Sequence, residues 1–395
     1  MKLTRSQAEA IIQVLKEVLF NERYADKALE KVFKTLKARE GDRALIAETS
    51  YTIIRYYRLL TAISQSESLW KILGAWAIHN HYTLDAWKEF ASLNAKEIHQ
   101  RYETVKAERK IRESIPDWLD ELGAGELGEV WDSTLQELNR IPPIAIRVNT
   151  LKISVEELQS KLLEEGFSTE LTDQFPEGLK LSERKNIFQS NAFQEGLFEV
   201  QDFGSQQIVP YLQAEPGMRI IDACAGTGGK SLHLAAHMQN KGRLISMDVA
   251  EWKLEEFKTR ARRAGVHNFE TRVIESPKSI KRLHETADRL LLDVPCSGLG
   301  VLKRNPDARW KLKPEYIVKI RNTQQTILTD YALMVKPGGK LVYSTCSILP
   351  SENEKQVKHF LEQHAQAFQL EEELTIKPSM LTDGFYMARI IRLKN

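Results

Sequence analysis

The chain has 395 residues, of which 42% are hydrophobic and 28% charged, an ordinary composition for a globular protein with two or three domains. Its 56 basic and 54 acidic side chains leave a formal net charge of +2, so net charge neither supports nor excludes nucleic-acid binding. No apolar stretch predicts a secretory signal or a membrane span. We therefore expect a soluble, cytoplasmic protein.

Three cysteines occur, Cys224, Cys296 and Cys346, far apart and never as a Cys-x-x-Cys pair. This spacing argues against a zinc site and against a disulfide framework. We expect reduced thiols.

The first region, from about residue 3 to residue 111, has apolar residues at steps of three and four and contains no proline. This periodicity predicts an all-helical domain. Its central helix is expected from Asp42 to Ile63, with Asp42 as the N-cap.

The second region begins where Pro116 and three glycines interrupt the helical pattern. Residues 144–148 and 178–181 predict short strands, and residues 155–165 predict a helix ended by Gly166. Residues 116–205 are therefore expected to form a linker helix and a small α+β unit.

From Gly217 onward, short apolar strands alternate with helices. The predicted strands are 218–222, 243–248, 271–274, 289–293 and 340–344, and the clearest helices are 230–238 and 251–264. This alternation predicts a doubly wound, mostly parallel sheet over residues 206–395, with a ligand crevice at the carboxyl ends of its strands.

A glycine-rich loop over residues 221–230 joins the first of these strands to its helix. A phosphate-binding P-loop would need glycine at Cys224, and the dinucleotide fingerprint would need glycine at Ser231. Neither pattern is complete in this loop. Sites for nucleoside cofactors share an acidic residue about 20 residues after the glycines, which binds the ribose hydroxyls. Asp248 lies there, and a helix N-cap is its alternative role.

Two thiols follow neighbouring strands: Cys296 comes after Asp293-Val294-Pro295, and Cys346 comes after Thr345. A thiolate that adds to C6 of a cytosine makes C5 electron-rich enough to accept a methyl group. Asp293 is expected to bind the base edge, and Lys230 to orient the base or favour the thiolate. Cys224 is expected to be a small, inert hydrophobic residue.

The chain resembles the RsmB/Sun family of RNA (cytosine-5) methyltransferases over nearly its full length. The residues that carry the resemblance are Arg147-Val148-Asn149, the segment from Val200 to Gln206, the loop from Asp222 to Lys230, Asp293 to Gly298, Thr345-Cys346-Ser347 and Asp383 to Ala388. The N-terminal domain, residues 1–115, resembles an RNA-binding NusB-like domain, and the unit 116–205 is RRM-like. Residues 206–395 would then be the catalytic domain.

The resemblance implies S-adenosyl-L-methionine as the cofactor and ribosomal (16S) RNA, rather than transfer RNA, as the substrate. It also implies that Cys346 attacks the base and that Cys296 helps to expel it afterward. Cytosine-5 DNA methyltransferases use the reverse arrangement, in which the Pro-Cys thiol attacks. The alternatives are an RNA-binding ribosome-assembly factor with an idle methyltransferase fold and a transfer-RNA cytosine-5 methyltransferase.

The expected binding residues follow from these motifs. Those for the cofactor are Cys224, Ala225, Gly226, Thr227, Gly228, Gly229, Lys230, Asp248, Glu275 and Asp293, and those for RNA are Arg147, Asn149, Lys303 and Arg304. Two features depart from the family pattern. Gly226-Thr227 replaces Ala-Pro, which is expected to loosen the loop, and Glu275 is the nearest candidate for a missing adenine-binding aspartate.

His233 and His237 lie four residues apart on a predicted helix, but Leu234 stands where a zinc protease has glutamate. No metal is therefore expected. The basic cluster of Lys258, Arg260, Arg262 and Arg263 is interpreted as a solvated helix face, and a monomer is the default expectation.

Overall fold

The computed structural model describes residues 2–36 and 40–394. The α-helices are α1 (Arg5–Leu19), α2 (Ala25–Thr35), α3 (Glu40–Arg55), α4 (Tyr57–Ser64), α5 (Leu69–His79), α6 (Ala95–Val105), α7 (Arg109–Arg112), α8 (Asp117–Leu127), α9 (Trp131–Leu138), α10 (Val155–Glu164), α11 (Asn191–Gln194), α12 (Phe203–Gln206), α13 (Ile208–Leu212), α14 (Gly229–His237), α15 (Glu251–Ala264), α16 (Pro277–Lys281), α17 (Ala308–Lys311), α18 (Pro314–Tyr331) and α19 (Glu354–His364). The strands are β1 (Ala145–Val148), β2 (Thr169–Leu171), β3 (Gly178–Leu181), β4 (Phe198–Val200), β5 (Arg219–Asp222), β6 (Arg243–Asp248), β7 (Phe269–Val273), β8 (Ala287–Asp293), β9 (Val335–Thr345), β10 (Phe368–Ile376) and β11 (Phe385–Arg392). Short 3-10 segments occupy Lys88–Phe90, Gly128–Val130, Ile187–Gln189, Leu299–Val301, Ala332–Met334 and Pro350–Glu352.

The chain divides into two compact units. A helical unit contains residues 1–140 and 302–314, and a sheet-containing unit contains residues 141–301 and 315–395. The predicted helical domain ended at residue 115, whereas α8 and α9 cluster with the helices before them. The finer domain boundaries stay predictions.

Helix α1 shows why the first region is helical. Thr4 and Gln7 form a reciprocal capping box at its N-terminus, which satisfies two backbone groups that the helix leaves free. The predicted apolar face, including Ile11 and Leu15, is buried in the core of the helical unit.

The predicted central helix is wrong in two details. Helix α3 begins before Asp42, which is therefore not an N-cap; its carboxylate instead accepts a hydrogen bond from Gln7, at 2.6 Å. The helix also breaks at Tyr56, where the Ser114 hydroxyl accepts hydrogen bonds from the backbone N–H groups of Arg58 (2.7 Å) and Leu59 (3.3 Å). A side chain 56 residues away in sequence thus caps α4.

The glycines of α8 do not interrupt the helix as predicted. Gly123 lies inside α8, and a Cβ there would be 2.3 Å from the Trp131 ring. Glycine is therefore used here for close helix packing, since Trp131 is fully buried.

The small sheet has the strand order β2-β3-β1-β4, with every neighbouring pair antiparallel. Strands β1 and β3 and helix α10 confirm the elements predicted for this region. Its core includes Ile146, Leu158 and Phe198, so the region is an α+β layer, as predicted.

The large sheet has the order β10-β11-β9-β8-β5-β6-β7. Strands β9, β8, β5, β6 and β7 are parallel, and β11 runs antiparallel between β9 and β10. The predicted fold class is confirmed. Strand β5 is the first strand of this sheet in sequence. Strands β6 and β7 follow on one side of it, and β8 and β9 then follow on the other side, so a topological switch point lies between β5 and β8.

Alternate side chains of the large sheet enter two different cores. Ile221 and Tyr343 pack on one face with α18 and α19, while Ile220 and Val342 pack on the other face with α13, α14 and α15. Because both faces are covered, the strands are apolar on both sides. Among the described residues, no helix is both long and apolar enough to cross a membrane.

Candidate active site

The carboxyl ends of β5, β8 and β9 bring the predicted catalytic residues to one edge of the sheet. The two cysteines lie in neighbouring loops, after β8 and after β9, and their sulfur atoms are 3.2 Å apart. The predicted pair of facing thiols is therefore present in the fold. The hydrogen bond to Cys346 and then burial raise the pKa of the Cys296 thiol well above its usual range, so Cys296 is held as a neutral thiol.

Lys230 and Asp293 form an ion pair at the same edge, with 2.6 Å between Nζ and Oδ2. Asp293 also accepts a hydrogen bond from the Ser344 hydroxyl, at 3.0 Å. Burial opposes the charged form of Lys230, but attraction to Asp293 outweighs it and raises the pKa of Lys230. A fixed cation at this edge stabilises a nearby thiolate.

A buried polar network, which sequence reasoning missed, supports the two cysteine loops. The fully buried carboxylate of Glu352 accepts hydrogen bonds from the Ser297 backbone (2.8 Å), the Ser347 hydroxyl (2.6 Å) and the Gln324 side chain (2.9 Å). Ser297 and Ser347 directly follow Cys296 and Cys346. Glu352 therefore ties together the backbone on which both thiols stand.

Gly300 allows the C-terminal motif to approach these loops closely. Its N–H donates to the Cys346 carbonyl at 2.9 Å, and its carbonyl accepts from the Gly384 N–H at 2.9 Å. A Cβ on Gly300 would be 2.1 Å from the Gly384 carbonyl oxygen. The segment Asp383–Ala388 is thus hydrogen-bonded, through Gly384, to the loop that follows Cys296.

The glycine loop has an open surface and a tightly packed base. Gly226 has φ +55°, and a Cβ there would meet nothing within 4 Å, so a ligand can approach the backbone. Gly228 has φ +85°, and a Cβ there would be 1.9 Å from the Phe257 ring. The loop therefore fits a nucleoside cofactor on one side and packs against α15 on the other.

Asp248 lies at the end of β6 and holds the loop in place. Its carboxylate accepts hydrogen bonds from the N–H groups of Gly226 and Ala250, both at 2.9 Å. The N-cap of α15 is Ala250 rather than Asp248. The position of the carboxylate beside the loop suits the predicted contact with ribose hydroxyls.

The remaining loop residues are anchored more firmly than expected. Arg260 donates to the Thr227 carbonyl (2.9 Å) and hydroxyl (2.8 Å), so the Gly226-Thr227 variant is not a loose loop. Arg260 and Arg263 also bind Glu199, and these two members of the basic cluster are therefore not a freely solvated face.

Cys224 and Ala225 lie at the base of the loop. Burial raises the pKa of the Cys224 thiol well above its usual range, and its side chain packs against the sheet core. This environment fits the expected inert hydrophobic residue, so any cofactor contact from Cys224 would come from its backbone.

Asp222 is a buried acid beside the loop that the sequence analysis did not assign. Its Oδ2 accepts a hydrogen bond from the Ser231 hydroxyl at 2.6 Å, and among the described residues its Oδ1 has no hydrogen-bond partner. Burial raises the pKa of Asp222 to about 7.

Glu275, the candidate adenine-binding residue, is exposed just beyond β7. It lines a cleft of about 630 Å³ together with Val249, Ile274 and Tyr331. Its role stays a prediction.

Two of the predicted RNA-binding residues are buried, and this assignment is wrong for them. Arg147 donates to the Gln201 side chain and to the Gly229 carbonyl, the latter at 3.0 Å. Asn149 donates to the carbonyls of Gly196 and Ala264, both at 2.8 Å. The Arg-Val-Asn motif therefore connects β1 to the start of α14 and the end of α15, instead of presenting side chains to RNA.

The other two predicted RNA-binding residues, Lys303 and Arg304, belong to the helical unit. Lys303 is 1% exposed, so its side chain is not a surface cation, and its carbonyl accepts a hydrogen bond from Arg55 at 2.7 Å. Arg304 is partly exposed, and its RNA contact stays a prediction.

Comparison with known proteins gives two family matches. Residues 209–391 match the 16S rRNA methyltransferase RsmB/F family, and residues 115–188 match the ferredoxin-like domain of RsmF/B-like methyltransferases.

Named relatives are similar over much of the chain. A probable ribosomal RNA small subunit methyltransferase B from Synechocystis is 38% identical over 64% of this chain and 57% of its own length. The ribosomal RNA small subunit methyltransferase B of Klebsiella pneumoniae is 32% identical over 73% of this chain and 68% of its own length, and that of Proteus mirabilis is 32% identical over 74% and 70%. The chain thus spans little more than half of the Synechocystis relative.

Solved structures share the fold. The crystal structure of PH0851 has a TM-score of 0.82 and 27% identity, covering 99% of this chain and 100% of that one. A methyltransferase homologue from Pyrococcus horikoshii has a TM-score of 0.64 and 28% identity, covering 72% of this chain and 98% of that one. NSun6 from Pyrococcus horikoshii, solved with SFG, has a TM-score of 0.65 at 22% identity, covering 71% and 99%.

Proposed function

Because the chain belongs to the RsmB/F family of 16S rRNA methyltransferases, we propose that it uses S-adenosyl-L-methionine to methylate C5 of a cytosine in small-subunit ribosomal RNA. The observation that carries this proposal is the pair of thiols, 3.2 Å apart, at the same sheet edge as the Lys230–Asp293 ion pair. Paired thiols at strand ends suit a covalent route to a carbon that is otherwise unreactive.

Cys346 is the nucleophile in this proposal. Its thiolate forms a bond to C6 of the cytosine, and the electron pair of the C5–C6 double bond becomes available at C5. The base must leave any helical stack to be reached by a thiolate, so the target cytosine is single-stranded or flipped out.

Asp293 and Lys230 hold the base and its developing charge. Asp293 accepts a hydrogen bond from the exocyclic amine of the cytosine, and Lys230 keeps a positive charge beside the reacting groups. Their 2.6 Å contact fixes both side chains before the substrate binds, which reduces the reorganisation that the reaction requires.

Cys296 acts after methyl transfer in this proposal. A water molecule accepts the proton from C5, and the electron pair of that C–H bond forms the C5–C6 double bond again. The C6–S bond breaks at the same time, and its electron pair returns to Cys346 as a thiolate. Cys296 is adjacent to the leaving sulfur, where a thiol can donate a hydrogen bond to the departing thiolate.

Residues 224–230 would hold the cofactor, with Asp248 binding its ribose hydroxyls and Asp293 contributing a further contact. S-adenosyl-L-methionine supplies the methyl group as an electrophilic sulfonium. The open face at Gly226 admits the cofactor, and Asp248 is already held beside that face by two backbone N–H groups.

The first test measures transfer of a radiolabelled methyl group to a 16S rRNA transcript, followed by bisulfite sequencing of the product. Wild-type protein should produce 5-methylcytosine, and Cys346→Ala should lose at least about a thousandfold in rate, as expected when a covalent nucleophile is removed. Calorimetry should show S-adenosyl-L-methionine binding to both proteins, because the substitution removes no proposed cofactor contact.

The outcomes separate the alternatives. A transcript without methylation, together with no cofactor binding by the wild type, would indicate an RNA-binding assembly factor with an idle fold. Methylation of transfer RNA in preference to the 16S transcript would contradict the proposed substrate.

A further inference from the structure

Three potential metal-binding side chains converge away from the cysteine site. Glu177 directly precedes β3, while His233 and His237 lie one turn apart on α14. The Glu177 carboxylate is 2.9 Å from His233 Nε2 and 3.4 Å from His237 Nε2. One ligand atom from each residue lies within 4.8 Å of those from the other two.

These distances are close to those of a tetrahedral metal site. Zinc takes nitrogen and oxygen ligands at about 2.0–2.2 Å, which in a tetrahedral site places neighbouring ligand atoms about 3.3–3.6 Å apart. The two contacts, at 2.9 and 3.4 Å, are made to different oxygens of the Glu177 carboxylate, and the three ligand atoms lie within 4.8 Å of one another. Side-chain rotation would therefore have to adjust these separations for all three residues to reach one ion.

The ligand types favour a transition metal over calcium or magnesium, because two donors are imidazole nitrogens. His237 Nε2 is buried and, among the residues that the structure describes, has no hydrogen-bond partner. This nitrogen lies 3.4 Å from the Glu177 carboxylate, which also contacts His233. The His233 residue is 1% exposed.

A cleft beside the three residues would give a metal ion access to them and leave one coordination position open to solvent. A cleft of about 420 Å³ reaches all three residues and is also lined by Phe175, Gln207 and Tyr211. An ion can enter through this cleft, and solvent can supply the fourth ligand.

We propose that Glu177, His233 and His237 bind a divalent transition-metal ion, with Zn²⁺ as the expected occupant. The site joins the segment before β3 to α14, the helix that begins at the glycine loop and carries Lys230. Its role is therefore to fasten the small sheet to the helix of the cofactor loop. The proposal rests on these three residues and not on the proposed methyl transfer.

The sequence predicted no metal because it offered only the two histidines of α14. The third ligand is 56 residues upstream of His233, outside the reach of any helical spacing rule.

The test equilibrates the full-length, chelator-treated protein with ZnCl₂, removes free ions and counts zinc per chain by mass spectrometry. One equivalent is expected for the wild type. Glu177→Gln and His237→Gln should each weaken binding by more than the ~10–100-fold that follows loss of an outer-shell partner. His359→Gln, which changes an exposed histidine on α19, is the matched control and should keep the full equivalent.

Two further readouts identify the ligands and the fastening role. Co²⁺ should give visible d–d absorption without a thiolate-to-metal band, and Zn²⁺ should raise the Tm of the wild type and of His359→Gln but not of His237→Gln. A thiolate band would place the metal on Cys296 and Cys346 and overturn the proposal. Equal zinc retention by wild type and both ligand variants, or no retention by any protein, would overturn it as well.

Discussion

At the scale of single residues, the site depends on which charges the fold tolerates. Lys230 is charged because Asp293 is beside it, whereas Cys296 and Cys224 are held as neutral thiols. The fixed cation of Lys230 lies at the same sheet edge as the Cys296–Cys346 pair, whereas Cys224 packs against the sheet core.

Asp222 provides a prediction about pH and stability. Its folded-state pKa of about 7 is above its ordinary value, so the folded chain binds more protons than the unfolded chain between those two values. This residue's contribution to stability therefore falls as pH rises through that interval and is constant above it. The unfolding free energy of Asp222→Asn relative to that of wild type should therefore rise by roughly 2–4 kcal/mol between pH 4 and pH 7. Urea unfolding of both proteins at each pH measures this change.

Asp288 is the matched control, because its pKa shifts the other way. Burial opposes its charged form, but the hydrogen bonds from Lys336 and from the Arg219 backbone, together with attraction to nearby cations, outweigh burial and lower the pKa of Asp288. Its contribution is present at neutral pH and is lost as pH falls, so Asp288→Asn should reduce stability at pH 7. Parallel stability curves for Asp222→Asn and wild type would contradict the account of Asp222.

At the level of secondary-structure elements, two glycines of the cofactor loop have different roles: Gly228 packs against Phe257, whereas Gly226 faces open space. Gly228→Ala combines a strained φ with a collision against Phe257 and should cost about 3 kcal/mol of unfolding free energy. Gly226→Ala faces open space and should cost only about 1–2 kcal/mol.

Cofactor affinity should separate the same two variants. Since the new methyl group of Gly226→Ala lies on the open face, it should weaken S-adenosyl-L-methionine binding measured by calorimetry by more than its stability loss explains. Equal unfolding free energies for the two variants would show that Phe257 does not restrict Gly228.

The elements that the sequence predicted well are those set by local patterns. Helix α15 has the predicted bounds, and β6 and β8 lie where short apolar runs indicated strands. Strand β10 was missed because most of its side chains are exposed, including three consecutive glutamates. Exposed charges suit the edge of a sheet, where they discourage pairing with other chains, but they hide the strand from a hydrophobicity pattern.

Features set by distant partners were not predictable. The break at Tyr56 depends on Ser114, and the Glu352 network depends on residues from three separate segments. The Arg-Val-Asn motif was correctly noticed but wrongly interpreted, because nothing local distinguishes a buried arginine that binds a carbonyl from a surface arginine that binds phosphate.

At the scale of the whole molecule, the paired thiols owe their proximity to sheet topology. Cys296 and Cys346 are 50 residues apart in sequence, yet β8 and β9 are parallel neighbours and end together. The order of strands therefore allowed the sequence to predict the pair, while the distance between the sulfurs required the structure.

The proposed roles of the two thiols predict opposite effects when each is replaced. Without Cys296, the adduct between Cys346 and C6 should form but not resolve. Without Cys346, no adduct should form, although the protein should still bind the cofactor.

The most direct measurement mixes each variant with the 16S rRNA transcript and S-adenosyl-L-methionine, and maps any cross-linked peptide by mass spectrometry after denaturing electrophoresis. The account predicts a stable protein–RNA adduct with Cys296→Ala, attached through Cys346, and none with Cys346→Ala. An adduct that forms with Cys346→Ala and is attached through Cys296 would contradict it.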